Sequence, residues 1–261
     1  MKISIITAVY NRKGTILDTI HSIQSQTYSG IEHLIIDGDS NDGTLEVVKE
    51  CMSPNMFLVS EPDSGIYDAI NKGIIHSTGD VIGLLHSDDM YVSDSVIAQV
   101  AMEFSDSNLD AIYADAIFFR DGEPDSITRY FRSDRFSLDT LAWGWLPAHT
   151  TIFFRRRVFE QFGLYKTDYK IAADVDFIAR VFRSKNFRAK YIPKVWVKMR
   201  IGGISTGGWR NTILLNREVL RALRENGIKT NMAQILSKYP LKLLEFLDSR
   251  DSKKHKATKK C

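Results

Sequence analysis

Cysteine is scarce: Cys51 and Cys261 are the only two in 261 residues. That excludes a disulfide framework and fits a reducing compartment. Long apolar runs are missing as well. No stretch reaches the length of a membrane span, and Met1-Lys2-Ile3-Ser4-Ile5-Ile6-Thr7 is too short an apolar run for a signal peptide. A soluble, cytoplasmic protein is the expectation. Excess charge is lacking too, since a net +3 gives no reason to expect a nucleic-acid partner, although basic residues gather toward the C-terminus. The glycine-rich phosphate cradles are also absent. The first turn reads Val9-Tyr10-Asn11-Arg12-Lys13-Gly14, without G-x-G-x-x-G, and no P-loop pattern occurs anywhere. A dinucleotide-binding dehydrogenase and a P-loop NTPase are thereby disfavoured. Any bound phosphates must instead be held by a metal and basic side chains, for which Asp88 and Lys72 are candidates.

What is present is ordinary globular composition, 44% hydrophobic and 26% charged, enough for one large domain plus an appendage. Residues 3–10 are nearly all apolar or β-branched, as in a strand buried on both faces. Thr15 and Asp18 resemble a capping pair ahead of a helix carrying Ile16, Ile20 and Ile23. Strands follow at 33–36, 56–59 and 81–85, with helices at 45–51 and from Ile66 through Ile74. Four strand–helix alternations within the first ninety or so residues argue for right-handed βαβ units and a parallel sheet. Beyond about residue 110 the rhythm changes. Strands are expected at 111–120 and 150–155, separated by a loop holding Trp143-Gly144-Trp145. A helix is expected at 173–184 and a strand at 187–192. A glycine-rich loop at 202–208 precedes helical sequence from about 211. No internal repeats or low-complexity linkers appear.

Each early strand ends in a polar turn, at Asn11, Asp37, Asp63 and Asp88. One such residue usually caps a helix or makes an Asx-turn. Four, delivered to one rim by parallel strands, describe a polar cleft. In Leu84-Leu85-His86-Ser87-Asp88-Asp89 an apolar strand stops at two adjacent acids. These repel each other unless a cation or solvent offsets them, so the pair either caps the next helix or helps bind a divalent metal carrying phosphate.

Five segments, in order, resemble the family 2 glycosyltransferases. They are Ser4-Ile5-Ile6-Thr7-Ala8-Val9-Tyr10-Asn11, Ile36-Asp37-Gly38-Asp39-Ser40-Asn41-Asp42-Gly43-Thr44, and Asp63-Ser64-Gly65-Ile66-Tyr67-Asp68-Ala69-Ile70-Asn71-Lys72-Gly73. Leu85-His86-Ser87-Asp88-Asp89 and Ala172-Ala173-Asp174-Val175-Asp176 complete the set. The resemblance implies an α/β GT-A fold, a mostly parallel Rossmann-like sheet flanked by helices, over residues 1–210. It divides into a nucleotide-sugar half (1–110) and an acceptor half (111–210), with a helical extension at 211–261. It also implies an inverting enzyme using a nucleotide-diphosphate sugar. On this reading Thr7, Val9 and Tyr10 wall the base, Asp37 accepts from its imide N–H, and Asn71 and Lys72 lie near the ribose or phosphates. Asp63, Tyr67 and Ser87 join the donor-binding set, and Asp88 contacts the metal, Mn²⁺ or Mg²⁺. His86 stands where the family has its first acid. It either hydrogen-bonds or ligates, and ligation would favour the softer Mn²⁺.

An inverting transfer needs one general base, and Asp174 matches the family's base position at the start of a helix. A helix N-terminus depresses a carboxylate's basicity, so burial must push back. Asp176, two residues on, cannot share its helical face and is expected to cap or pair. Asp89, His149, Arg200 and Ser205 form a second tier. His149 either contacts donor or acceptor or is a satisfied structural histidine. Arg200 and Ser205 flank the glycine-rich loop, which in relatives closes over the diphosphate. Trp143 and Trp145 stack on a sugar or pack beneath the cleft. Beyond residue 234, Ile235, Leu236, Tyr239, Leu241, Leu243, Leu244 and Leu247 precede Lys253, Lys254, Lys256, Lys259 and Lys260. This segment is a packed helix with a solvated tail, or a peripheral contact with an anionic membrane holding a lipid-linked acceptor. The expected activity is transfer to a hydroxyl of a glycan or lipid-linked acceptor in cell-surface polysaccharide synthesis. A sugar-nucleotidyltransferase and a non-catalytic glycan or nucleotide-sugar binder are the alternatives.

Overall fold

The computed structural model describes residues 1–202, 208–237 and 239. Its first half alternates as expected. β1 (Ile3–Val9), β2 (Ile31–Asp37), β3 (Met56–Ser60) and β4 (Val81–Leu84) run parallel in the order β3-β2-β1-β4. α1 (Ile16–Gln24), α2 (Thr44–Glu50) and α3 (Ile66–His76) form the intervening crossovers. Every residue of β1 is buried, which its unbroken apolar and β-branched run anticipates. α1 buries Ile16, Ile20 and Ile23. Thr15 does not cap it by side chain: its hydroxyl donates to the Ser87 carbonyl (2.9 Å) and thereby ties α1 to the turn after β4.

The second half contains β5 (Met90–Tyr91), α4 (Val96–Glu103), β6 (Ala111–Arg120), β7 (Glu123–Phe131) and α5 (Leu138–Leu141). A 3₁₀ turn (His149–Thr151), β8 (Phe153–Arg155), α6 (Arg156–Phe162), α7 (Ala173–Phe182), β9 (Ala189–Arg200), α8 (Trp209–Glu225) and α9 (Met232–Leu236) follow. The sheet continues from β4 through β8, β6 and β9 to β5, with β7 paired to β6. Here the pairing is mixed. β8 is antiparallel to β4 and β6, β7 antiparallel to β6, β5 antiparallel to β9, and β6 parallel to β9. The strand expected at 150–155 is a 3₁₀ turn leading into a three-residue strand, and the one expected at 187–192 runs on to Arg200. β7 was not anticipated because it is mostly polar and buries none of its residues fully. Its signal was the Asp121-Gly122 turn, where Gly122 adopts φ +75°.

The helices cover both faces. On one side Ile6, Ile36, Ile70, Ile82, Phe154 and Phe177 belong to a core shared with α3 and α7. On the other, Ile5, Val81, Val96, Val100, Phe153 and Trp196 pack together. β4 and β8 are antiparallel neighbours, and Gly83 leaves room for the ring of its cross-strand partner Phe153, which a Cβ would meet at 2.4 Å. Val219, Ala222 and Leu223 of α8 and Ile235 of α9 enter the first core. Among the described residues no helix is long and apolar enough to cross a membrane. Ser205 and most of the apolar and lysine-rich C-terminal segment lie outside the described residues.

Candidate active site

β1, β2 and β4 lie side by side in parallel, so the turns following them share one edge of the sheet. The first two interlock. Asn11 N–H donates to Ser40 Oγ (2.8 Å), Asn41 N–H to Asn11 Oδ1 (2.9 Å), and Arg12 N–H to Thr44 Oγ1 (2.8 Å). Asn11 (φ 51°) and Asp39 (φ 66°) sit in the left-handed region, which Asn and Asp tolerate better than most residues. Asp37 closes β2, fully buried. Its Oδ2 accepts from Ser60 Oγ (2.7 Å) and Ser40 N–H (3.2 Å), while Oδ1 is buried with no hydrogen-bond partner among the described residues. A lone buried acceptor is costly unless a ligand donor reaches it. Tyr10 is exposed beside this turn and Val9 is buried. Thr7 is inside the sheet rather than at the rim, where its Oγ1 shares a hydrogen bond with His33 Nε2 (3.0 Å). Burial pulls His33 down to about 3, so this pair is neutral. Asp63 Oδ1 accepts from Gly65 N–H (2.8 Å) in the turn after β3.

The turn after β4 is clamped by α1. Besides the Thr15 contact, Thr19 Oγ1 donates to the Asp89 carbonyl (2.8 Å), and Asp89 N–H to the His86 carbonyl (3.0 Å). Ser87 is buried. The two acids have different fates. Asp89 is buried and accepts from Arg200 N–H (3.2 Å), and burial together with Asp88 raises its carboxyl well above the usual range. Asp88 is half-buried, and its carboxylate has no hydrogen-bond or ion-pair partner among the described residues. Burial lowers His86, leaving it a neutral imidazole at pH 7. Among the described residues no three His, Cys, Asp or Glu side chains gather to cage a metal. A single carboxylate does fit a divalent cation whose other ligands are phosphate oxygens and water.

Two expected phosphate cations are already engaged. Lys72 Nζ pairs with Glu61 (2.8 Å), donates to the Pro62 carbonyl (2.9 Å) and lies 3.8 Å from Asp68. Arg200 pairs with Asp18 (2.7 Å) and Asp121, and its guanidinium lies over the Phe119 ring. Asn71 is likewise committed, since both ends of its amide bind the Tyr165 backbone (2.7 and 3.0 Å).

Asp174 occupies the first turn of α7, half-buried, and burial pushes its carboxyl up to about 6. Burial therefore outweighs the helix N-terminus here, as basicity requires. The Tyr67 hydroxyl is 2.6 Å from the Ile171 carbonyl and 3.3 Å from Asp174 Oδ1. Tyr67 stacks with Tyr165 at 5.9 Å, and the Tyr165 hydroxyl shares a hydrogen bond with His149 Nε2 (3.0 Å). Burial and His86 pull His149 down to about 3, and the two imidazole rings lie 6.1 Å apart. A file of neutral polar rings thus runs from Asp174 toward the Asp88 turn. Asp176 is fully buried and occupied, bound by Lys166 (2.9 Å), Arg180 (3.2 Å) and Asn226 Nδ2 (2.9 Å). Trp143 is exposed, and Trp145 carries the Arg135 guanidinium 5.3 Å above its ring.

Tyr165 went unnoticed in the sequence, which offers no motif for it. Glu218 was also missed, but a signal existed: it falls on the buried face of α8, between Leu215 and Ala222 at helical spacing.

The architecture is that of the GT-A glycosyltransferases. Residues 1–349 of TarS from S. aureus superpose with a TM-score of 0.65 at 15% identity, covering 90% of this chain and 71% of that one. PcManGT, a mannosyltransferase from Pyrobaculum calidifontis solved with GDP-Man and Mn²⁺, gives 0.62 at 18%, covering 84% and 64%. Glycosyl transferase family 2 matches residues 4–191, and the chain belongs to that family. It is 34% identical over 183 residues, 68% of each chain, to an uncharacterized glycosyltransferase of Mycobacterium tuberculosis. It is 29% identical over 225 residues to the PGL/p-HBAD biosynthesis glycosyltransferase of Mycobacterium bovis, covering 84% of this chain and 83% of that one. The protein is an enzyme, a glycosyltransferase.

Proposed function

We propose that this enzyme moves a sugar, with inversion, from a nucleotide-diphosphate sugar to a hydroxyl of a glycan or lipid-linked acceptor during cell-surface glycan assembly. The observation that carries the reading is the contrast within one turn of α7. Asp174 is half-buried, close to a neutral phenol and raised to about 6, while Asp176 is consumed by ion pairs. Asp174 takes the acceptor hydroxyl's proton as that oxygen attacks the anomeric carbon, and the nucleoside diphosphate leaves from the opposite side. Asp37 Oδ1 receives an N–H of the base. A divalent cation held by Asp88 would neutralise the departing diphosphate. TarS has been solved with UDP-GlcNAc and PcManGT with GDP-Man, so both nucleotides belong in the test. A cytoplasmic enzyme touching an anionic membrane through its C-terminal lysines is consistent with a lipid-linked acceptor.

Incubation with a panel of UDP-, GDP- and dTDP-sugars plus Mn²⁺ decides the class. Release of nucleoside diphosphate supports the transferase, pyrophosphate a nucleotidyltransferase, and neither product a binding module. Two substitutions test the donor contacts by calorimetry. Asp88→Ala is expected to abolish the Mn²⁺ enhancement of UDP binding, and equal enhancement in parent and variant would remove Asp88 as the ligand. Asp37→Ala is expected to weaken uridine binding roughly 10–100-fold without metal, the scale of a hydrogen bond to a charged group. Unchanged uridine affinity would take Asp37 out of the site.

A further inference from the structure

The segment that carries Asp174 is held from behind by a helix outside the region matched by the family. Glu218 is a buried carboxylate in the middle of α8. Its Oε1 accepts from Lys170 N–H (2.9 Å), and its Oε2 from Ile171 N–H (2.8 Å) and Ala172 N–H (3.0 Å). Three consecutive amides thus converge on one carboxylate, immediately before α7 begins. Bonds from N–H groups to an ionised acceptor are among the stronger ones in proteins, and the entrance of a helix favours negative charge. The same segment is pinned on its carbonyl side by Tyr67, whose hydroxyl donates to the Ile171 carbonyl (2.6 Å). Other α8 contacts run parallel to this one. Glu225 receives Lys166 Nζ (3.0 Å) and the Tyr169 hydroxyl (2.9 Å), and Arg221 pairs with Asp168. The chain from 166 to 172 is therefore moulded against α8.

We propose that Glu218 is the positioning residue for the general base, fixing through the amides of residues 170–172 where the Asp174 carboxyl sits. The proposal rests on the reading of Asp174 as that base. The titratable groups facing Asp174 are the phenols of Tyr67 and Tyr165, both raised by burial and by Asp174 itself, and Glu218. Of these, Glu218 brings a like charge, which works with burial to keep the base basic.

The test uses the full-length protein labelled with ¹³C at its aspartate carboxyls, the Asp174 signal being the one absent from Asp174→Asn. Glu218→Gln removes the charge and replaces one acceptor oxygen by a donor. Its Asp174 titration is expected to fall, since a like charge is removed, and the amides of 170–172 to exchange faster, with UDP affinity unchanged. Glu218→Asp keeps the charge but retracts it by one methylene, so exchange at 170–172 rises while the titration stays nearer the parent's. A merely structural residue would not separate the two readouts in this way. Parent-like titration and exchange in Glu218→Gln would overturn the proposal. Should that variant not fold, parent-like exchange in Glu218→Asp would do the same. Donor turnover by Asp174→Asn tests the base itself and is blind to Glu218, so the two readings fail separately.

Discussion

Asp174→Asn is expected to leave a folded protein that still binds nucleotide but transfers sugar roughly 10²–10⁴-fold more slowly, the usual contribution of a general base. The parent's rate should climb with pH as Asp174 loses its proton, half-maximal near the value of about 6 set by burial. The same shift has a sign for stability. A carboxyl raised from 3.8 to about 6 holds its proton more tightly in the folded state. It is therefore least harmful below about pH 4, and it costs stability as pH rises through that window. At pH 7 the asparagine variant should be the more stable protein, by about 1–3 kcal/mol. That gain should vanish below about pH 4 in denaturant melts. Normal transfer by Asp174→Asn, beside a folded but inactive Asp176→Asn, would move the base two residues along the helix.

Asp176→Ala should act on the fold instead. Removing this fully buried carboxylate takes an acceptor from Asn226 and the buried counter-charge from Lys166 and Arg180, which keep Glu225 and the Phe162 and Leu164 carbonyls respectively. Breaking a buried ion pair by deleting one partner costs about 3–5 kcal/mol. The lower end is expected because both cations reach solvent. Urea unfolding measures it, and a loss under about 1 kcal/mol would show that Asp176 does not hold α7 to α8.

The parallel half of the sheet was legible because strands covered on both faces need unbroken apolar runs, and β1 is such a run. The rim acids were legible because a parallel topology gathers the turns that follow its strands. Side-chain partners were not. Motif spacing located Lys72, Arg200 and Asn71, but each is taken by a neighbour far away in the chain or hidden in a turn: Glu61, Asp18 and the Tyr165 backbone. Thr7 fits the expected motif and yet binds His33, since β1 is covered on both faces and Thr7 shares a face with His33 on the neighbouring β2. Spacing alone did not separate Asp174 from Asp176, because two of the three groups that occupy Asp176, Lys166 and Asn226, come from other stretches of chain, and only Arg180 lies one turn along α7. β7 escaped notice for the opposite reason, being a polar hairpin partner that owes its place to β6 rather than to its own apolar content.

The position of β4 bears on how the chain comes into being. β4 lies between β1 and β8, and β8 is only Phe153–Arg155. During synthesis the first four strands emerge before that strand exists. Until it arrives, Val81, Ile82 and Gly83 present unpaired amides and carbonyls along an apolar margin, the kind of edge that recruits other chains. That unpaired margin makes the nascent chain before residue 153 a stage at which a chaperone has an edge to shield.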